Sequence, residues 1–234
     1  MIKILNTKKY LLFCLCFFTS TLFSQFSIEK ITFSSANPFS FNDIISDLKN
    51  QEEQEVYGTL IIPDVAESEK IPLVIGVAGS YGWAEHHFQY LEMFRQMGIA
   101  TFELNSFKSR NITSTVGTQT EITMAAMILD AYKALEVLSA HPKIDKEKIS
   151  ITGWSLGGGV TLFSGWLPVK NAINKKISFA SHLAFYPPCF IDPENRDFTK
   201  SPIHIIIGEL DNWTPSKPCE DLASKLRPAA NIDV

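Results

Sequence analysis

The sequence predicts an α/β protein, a mostly parallel sheet with helices on both faces. Strand-like apolar runs alternate with helical patterns along the chain, which is typical of βαβ units. Residues 72–78 are almost continuously apolar, as expected of a central strand covered on both faces. A β-branched run at 149–152 leads into a glycine-rich turn and a helix-compatible stretch. The 234 residues, 45% of them hydrophobic, suffice for one domain over residues 25–234.

The predicted elements follow in order along this domain. Strands are predicted at 27–33, 55–63, 72–78, 98–104, 149–152, 177–185 and 203–207, with a polar stretch after the first strand and a polar loop at 105–111. Helices are predicted at 84–97, 118–140 and 218–226, besides the one that follows the glycine-rich turn. The helix at 118–140 carries an apolar stripe, spaced 4, 3, 4 and 3, formed by Met124, Ile128, Ala131, Leu135 and Leu138. Residues 145–148 are expected to be a short turn.

Residues 1–24 have the pattern of a signal peptide. Lys3, Lys8 and Lys9 precede a short apolar core at 11–18, and small polar residues at 20–24 offer a cleavage zone. Because the apolar core is short for a membrane span, we expect export to the periplasm or the extracellular space, with no stable membrane anchor after cleavage. A retained anchor is the alternative.

Charge and residue spacing exclude several functions. The net charge of −4 and the lack of a long basic stretch predict no nucleic-acid partner. No spacing of His, Cys and Asp resembles a ligand set, so we expect no metal and no cofactor. Removal of the leader leaves Cys189 and Cys219, which follow successive predicted strands. Their loops should meet at one edge of the sheet, so we predict a disulfide, with two unpaired thiols as the alternative.

The glycine-rich turn, Gly153-Trp154-Ser155-Leu156-Gly157, matches a nucleophile elbow. In such an elbow a strained strand-to-helix turn lifts a serine hydroxyl above the sheet. The flanking glycines allow a backbone approach that a Cβ would block. We therefore predict that Ser155 is a catalytic nucleophile; the alternative is a βα turn that needs glycine for tightness alone.

A nucleophilic serine needs an oxyanion hole and an orienting acid. Backbone N–H groups of Leu156 and of Gly79 or Ser80, in the loop after the central strand, are the expected oxyanion donors. An ordinary βα turn is the alternative for that loop. Asp211 is the expected acid because it follows the strand at 203–207, with Glu209 as the lesser candidate. Asp211 could instead start a turn or cap the next helix.

These segments resemble the dienelactone hydrolase-like branch of the α/β-hydrolase superfamily. The likeness extends from about residue 55 to the end; its segments are 76–80, 105–110, 153–158, 185–189 and 208–215. The resemblance implies hydrolysis of a small-molecule ester or lactone substrate through an acyl-enzyme. The namesake of the branch uses a cysteine nucleophile, whereas this chain has Ser155, so a general esterase is the better expectation.

The catalytic histidine of this superfamily follows the acid, and no histidine follows Asp211 in the sequence. We expect it beyond residue 234, which makes the domain incomplete, with its last strand and helix missing, and this polypeptide inactive. Among the histidines present, His86 and His87 are the best placed, although a helical position is poor geometry for a base. The alternatives are a non-catalytic binding protein of this fold and an exported serine peptidase.

Overall fold

The structure, a computed structural model, describes residues 26–64 and 70–234. The predicted signal peptide lies outside the described residues. The strands are β1 (Ser27–Ala36), β2 (Glu53–Ile62), β3 (Ile71–Val77), β4 (Ala100–Leu104), β5 (Ile144–Trp154), β6 (His182–Phe185), β7 (Ile203–Ile206) and β8 (Ile232–Asp233). The α-helices are α1 (Phe41–Asp47), α2 (Glu85–Gln96), α3 (Ser106–Ser109), α4 (Met124–Leu138), α5 (Leu156–Phe163), α6 (Leu167–Ile173) and α7 (Ser216–Leu226).

The described strands form one sheet in the order β1-β2-β4-β3-β5-β6-β7-β8. The pairings of β2 with β1 and with β4 are antiparallel, and the other pairings among the described strands are parallel. The predicted α/β class with a mostly parallel sheet is therefore confirmed.

The centre of the sheet determines where a ligand can bind. β3 lies between β4 and β5, so the chain adds a strand on one side of β3 and then crosses to the other. Crevices in open α/β sheets form at the carboxyl ends of strands where the strand order reverses in this way. The loop after β3 and the turn after β5 meet at that point.

Several elements differ from the sequence prediction. α1 occupies part of the supposedly irregular stretch after β1, where Ser40 and Asp43 form a reciprocal capping box. α3 is a short helix within the polar loop at 105–111. α4 begins at Met124, because the Thr123 hydroxyl caps it, whereas Gly117 and Gln119 before it have positive φ angles that no helix accommodates.

Further differences concern the strands. Residues 145–148 belong to β5 rather than to a separate turn, although the register with β3 shifts there by a bulge. β6 begins only at His182, five residues later than predicted. Residues 230–234, where we expected a further strand to begin, contain the two-residue β8, which pairs with β7.

α4 is buried around most of its circumference rather than along one stripe. Asp130 on this helix is fully buried, and it accepts two hydrogen bonds from Arg110, at 2.8 and 3.0 Å, and one from the Ser35 hydroxyl at 2.6 Å. Arg110 also donates to backbone carbonyls of Ser106 and Ala36. This compensated ion pair gives Arg110, one of the residues behind the family resemblance, a structural role.

No helix within residues 26–64 and 70–234 is long and apolar enough to cross a membrane.

Candidate active site

Ser155 lies at a strained turn between β5 and α5. Its φ and ψ angles are 55° and −117°, which few residues other than glycine adopt. A hydrogen bond to the neighbouring strand stabilises this backbone conformation, since the Ser155 amide donates to the Phe185 carbonyl of β6 at 3.0 Å. α5 begins at the next residue, so the N–H of Leu156 has no acceptor within the helix. The turn therefore has the form predicted for a nucleophile elbow.

The glycines around Ser155 are required by close packing of the backbone. A Cβ on Gly153 would lie 2.1 Å from the Gly157 carbonyl oxygen. A Cβ on Gly157 would lie 2.2 Å from the Val77 carbonyl oxygen of β3. Both distances are shorter than any real contact, so a side chain at either position would force the strand and the helix apart.

The loop after β3 lies against the elbow. Gly79 and Gly82 form an isolated β-bridge, and the Gly82 amide donates to the Gly79 carbonyl at 2.9 Å. A Cβ on Gly79 would lie 3.1 Å from the Trp154 carbonyl oxygen and 3.5 Å from the Ser155 Cβ. The carbonyl of Ser80 accepts a hydrogen bond from the amide of the buried Thr115 at 2.9 Å, which joins the loop to the segment between α3 and α4. The loop that carries two of the predicted oxyanion donors therefore lies in contact with the Ser155 turn.

Asp211 lies in the loop between β7 and α7. Its carboxylate accepts hydrogen bonds from the amides of Trp213 and Thr214, both at 2.8 Å, and from the Thr214 hydroxyl at 3.0 Å. These bonds hold the pKa of Asp211 below its ordinary value, and the bond from the Thr214 amide has the largest effect. The carboxylate is therefore ionised at neutral pH. Glu209 is exposed and does not line the Ser155 cavity described next.

One cavity of about 300 Å³ brings together all of the predicted catalytic and oxyanion residues except Leu156, which is not in its lining. Ser155, Asp211, Gly79 and Ser80 all line it. Two aromatic side chains also line it and remain largely exposed, Tyr81 at 68% and Trp213 at 70%. An apolar cleft with a few convergent polar groups is the usual form of a small-molecule site.

Each of the five histidines has a partner other than Ser155. His141 contacts Glu29, His182 is buried against the Thr161 carbonyl, and His204 pairs with Asp233. The remaining two line the cavity: His86 contacts the Tyr186 hydroxyl, and His87 accepts from the Ala84 amide through Nδ1. In the part of the chain that the structure describes, no hydrogen bond joins a histidine to the Ser155 hydroxyl.

His87 is suited to being a neutral hydrogen-bond donor. Its ring stacks on Trp154, with centroids 4.5 Å apart, and burial followed by the neighbouring His86 lowers its pKa to about 4. At neutral pH Nδ1 is an acceptor, so Nε2 carries the proton. A neutral ring whose other nitrogen is already bonded is a poor general base.

Cys189 and Cys219 form a disulfide with an S–S distance of 2.07 Å. The bridge joins the loop after β6 to α7, so it connects the two segments on either side of β7 and the Asp211 loop.

Sequence reasoning missed two side chains of this site, Tyr186 and Thr214. Thr214 follows Asp211 by three residues, and that spacing, typical of a turn in which an aspartate accepts local hydrogen bonds, could have revealed it. Tyr186 and His86 lie 100 residues apart, and no local pattern indicates their contact.

The comparisons with known proteins agree with this architecture. A family model described as acetyl xylan esterase matches residues 111–187, about one third of the chain. None of the curated proteins matches the chain in sequence.

Solved structures are similar over most of the chain. A putative dienelactone hydrolase from Klebsiella pneumoniae is 17% identical, with a TM-score of 0.58 over 88% of this chain and 85% of its own. The Pyrococcus furiosus esterase Pf2001 is 17% identical, with a TM-score of 0.58 over 88% of this chain and 81% of its own. A putative dipeptidyl aminopeptidase IV from Bacteroides ovatus is 17% identical, with a TM-score of 0.61 over 88% of this chain but 32% of its own. The chain has the α/β-hydrolase fold.

Proposed function

We propose that the protein is a serine hydrolase that cleaves small carboxylic esters or lactones through an acyl-enzyme. The observation that carries this proposal is the single cavity in which Ser155, at its strained turn, faces the Gly79–Gly82 loop and the ionised Asp211. The names of the matching family model and of the esterase structures support the same class of reaction.

In the proposed mechanism, Ser155 Oγ attacks the ester carbonyl carbon and its proton passes to a general base. The backbone N–H groups of Leu156 and of Gly79 or Ser80 stabilise the negative oxygen of the tetrahedral intermediate. The C–O bond to the alcohol then breaks, and the base returns the proton to the departing alcohol oxygen. Water, deprotonated by the same base, attacks the acyl-enzyme; the acyl C–O bond to Ser155 breaks, the base returns the proton to Ser155 Oγ, and the acid is released.

The general base stays a prediction: a histidine that follows Asp211 in chain order, beyond residue 234. Its support is the Ser-Asp-His order of this superfamily, together with the partners already held by the five histidines. Asp211 would orient this imidazole and stabilise its charged form. The coding sequence after Val234 tests the idea, because a stop codon at 235 would favour a non-catalytic binding protein.

Acetyl esters are the substrates we propose to try first. The family model that matches residues 111–187 is described as acetyl xylan esterase, and its match includes Ser155. We propose ester rather than peptide cleavage because the matching family model is described as an esterase, and the similar Pyrococcus furiosus structure is an esterase too.

Replacement of the nucleophile tests the function directly. In the full-length gene product, we expect Ser155→Ala to lower kcat/KM for p-nitrophenyl acetate at least 10⁴-fold while thermal unfolding is unchanged. Ser150→Ala, in the strand β5 that leads to Ser155, is the matched control and should keep wild-type turnover. Full activity in Ser155→Ala would refute the proposal, and aminoacyl p-nitroanilides assayed in parallel would reveal a peptidase.

We also propose that the protein is exported, on the strength of the leader-like residues 1–24 and the disulfide. Fractionation of the source cells, with N-terminal sequencing of the mature protein, tests this proposal. Recovery from the cytoplasm with residues 1–24 intact would contradict it.

A further inference from the structure

We propose that Tyr186, oriented by His86, binds a hydroxyl group on the alcohol part of the substrate. The site would then prefer esters whose leaving alcohol carries a second hydroxyl close to the ester oxygen. This inference rests on the proposed ester hydrolysis and adds a specificity-determining residue to it. Tyr186 would contact the substrate, and His86 would act through Tyr186 as a positioning residue.

The backbone of Tyr186 is held in an unfavourable conformation. Its φ angle is 37°, a genuine outlier for a bulky side chain. The Tyr186 amide donates to the Ile206 carbonyl of β7 at 2.7 Å, and the preceding carbonyl, that of Phe185, accepts from the Ser155 amide at 3.0 Å. The residue is therefore fixed between β5 and β7, and its side chain lines the Ser155 cavity. Strain of this kind concentrates at functional sites.

The Tyr186 hydroxyl is positioned by a hydrogen bond to a residue of helix α2. It lies 2.9 Å from His86 Nε2, on α2. A phenol hydroxyl has one donor and two acceptor positions, so whichever group donates in this pair, the hydroxyl keeps a position free for a ligand. Burial, and then the nearby Tyr90 and Asp211, raise the pKa of Tyr186, which keeps the hydroxyl protonated. A substrate hydroxyl fits this partner best, because it can either donate or accept.

The strand order indicates which part of the ester Tyr186 would meet. The oxyanion loop follows β3, on one side of β5, whereas Tyr186 follows β6 and Asp211 follows β7, on the other side. The general base must contact both Ser155 and Asp211, and it returns its proton to the leaving oxygen. The alcohol therefore departs on the β6–β7 side, where Tyr186 is placed, while the carbonyl oxygen faces β3.

A matched pair of substrates isolates this contact. 2-Hydroxyethyl acetate and propyl acetate have the same shape and differ in a terminal hydroxyl against a methyl group. We expect the full-length wild-type protein to show a kcat/KM about tenfold higher for the hydroxylated ester, the size expected of one hydrogen bond. In Tyr186→Phe this ratio should fall to about one. Tyr57→Phe, the same change on β2 outside the cavity lining, should keep the wild-type ratio.

Substitution of His86 tests the positioning role. His86→Gln retains a hydrogen-bonding side chain and should keep part of the preference, whereas His86→Leu should lose it as Tyr186→Phe does. Thermal unfolding of every variant checks that the fold is intact. A wild-type ratio near one, or an unchanged ratio in Tyr186→Phe, would overturn the inference while ester hydrolysis still stood. Failure of the wild type to cleave any ester would remove the proposed function, and the inference with it.

Discussion

The turn that carries Ser155 and the loop that carries Asp211 hold their side chains in opposite ways. The turn is enclosed: any side chain on Gly153 or Gly157 would collide with backbone atoms at about 2 Å. The Asp211 loop is open, with Leu210 96% exposed and nothing within 4 Å of a Cβ built on Gly208.

The difference shows two ways to position a reactive group. Ser155 is fixed by backbone contacts with β3 and β6, which lie far away in the sequence. Asp211 is fixed by donors two and three residues away on its own loop. Changes at the turn should therefore destabilise the fold, and changes in the loop should impair the chemistry while the fold persists.

Among the changes that test this comparison, Asp211→Asn should have the largest effect, and it should leave the fold intact. An amide cannot stabilise a charged imidazole, and it favours the wrong tautomer, so kcat/KM for p-nitrophenyl acetate should fall about 10⁴-fold in the full-length gene product. The free energy of unfolding in urea should change by less than about 0.5 kcal/mol. A large loss of stability would show that the loop is not independent of the core.

Gly157→Ala should act on stability. The added methyl group meets the Val77 carbonyl at 2.2 Å, so we expect a loss of about 3 kcal/mol in the free energy of unfolding, or failure to fold. Gly208→Ala is the matched control in the open loop and should cost less than about 0.5 kcal/mol. Equal effects in the two variants, measured by urea denaturation, would break the comparison.

His182 extends the comparison to pH. It is buried beneath α5, and burial lowers its pKa to about 4, against the opposing effect of the Thr161 carbonyl. The unfolded chain, with a histidine pKa near 6.5, binds the proton more readily, so stability is full above that value and is lost as the pH falls from about 6.5 towards 4.

The expected loss from His182 is about 2 kcal/mol of unfolding free energy between pH 7 and pH 4.5. His182→Gln should reduce this part of the pH dependence, whereas His204→Gln, on the exposed face of β7, should retain it. An identical pH profile in wild type and His182→Gln would contradict the assignment.

Thr214→Val is the smallest effect we expect. It removes the hydroxyl that donates to Asp211 at 3.0 Å and leaves both amide donors in place. We expect kcat/KM to fall about tenfold, because one charge-assisted hydrogen bond that orients the carboxylate is lost. Wild-type kinetics in this variant would show that the two amides suffice.

The parts of the molecule that depend on local patterns could be predicted from the sequence. The alternation of strands and helices gave the α/β class, and the Gly153–Gly157 motif predicted the strand-turn-helix that the structure shows. The strand before Asp211 was recognisable from its apolar run. Boundaries were less accurate where a cap or a bulge decided them, as at Thr123 and at residues 145–148.

The contacts between distant residues could not be predicted. The Arg110–Asp130 pair depends on which face of α4 meets the loop after β4, and this is set by packing of the whole layer. The same holds for His86 and Tyr186, whose meeting requires α2 and the end of β6 to lie at one edge of the sheet. Nothing in their sequence neighbourhoods signals a partner.

The Cys189–Cys219 bridge closes a covalent ring around β7 and the Asp211 loop, since the two cysteines are 30 residues apart. A protease that cuts the exposed loop at Leu210 or Trp213 would therefore open the ring without releasing a fragment. The nicked chain would migrate as one species on a non-reducing gel and as two after reduction. Both pieces of such a chain stay joined through the disulfide, so cleavage of this exposed loop would not detach the segment that carries Asp211.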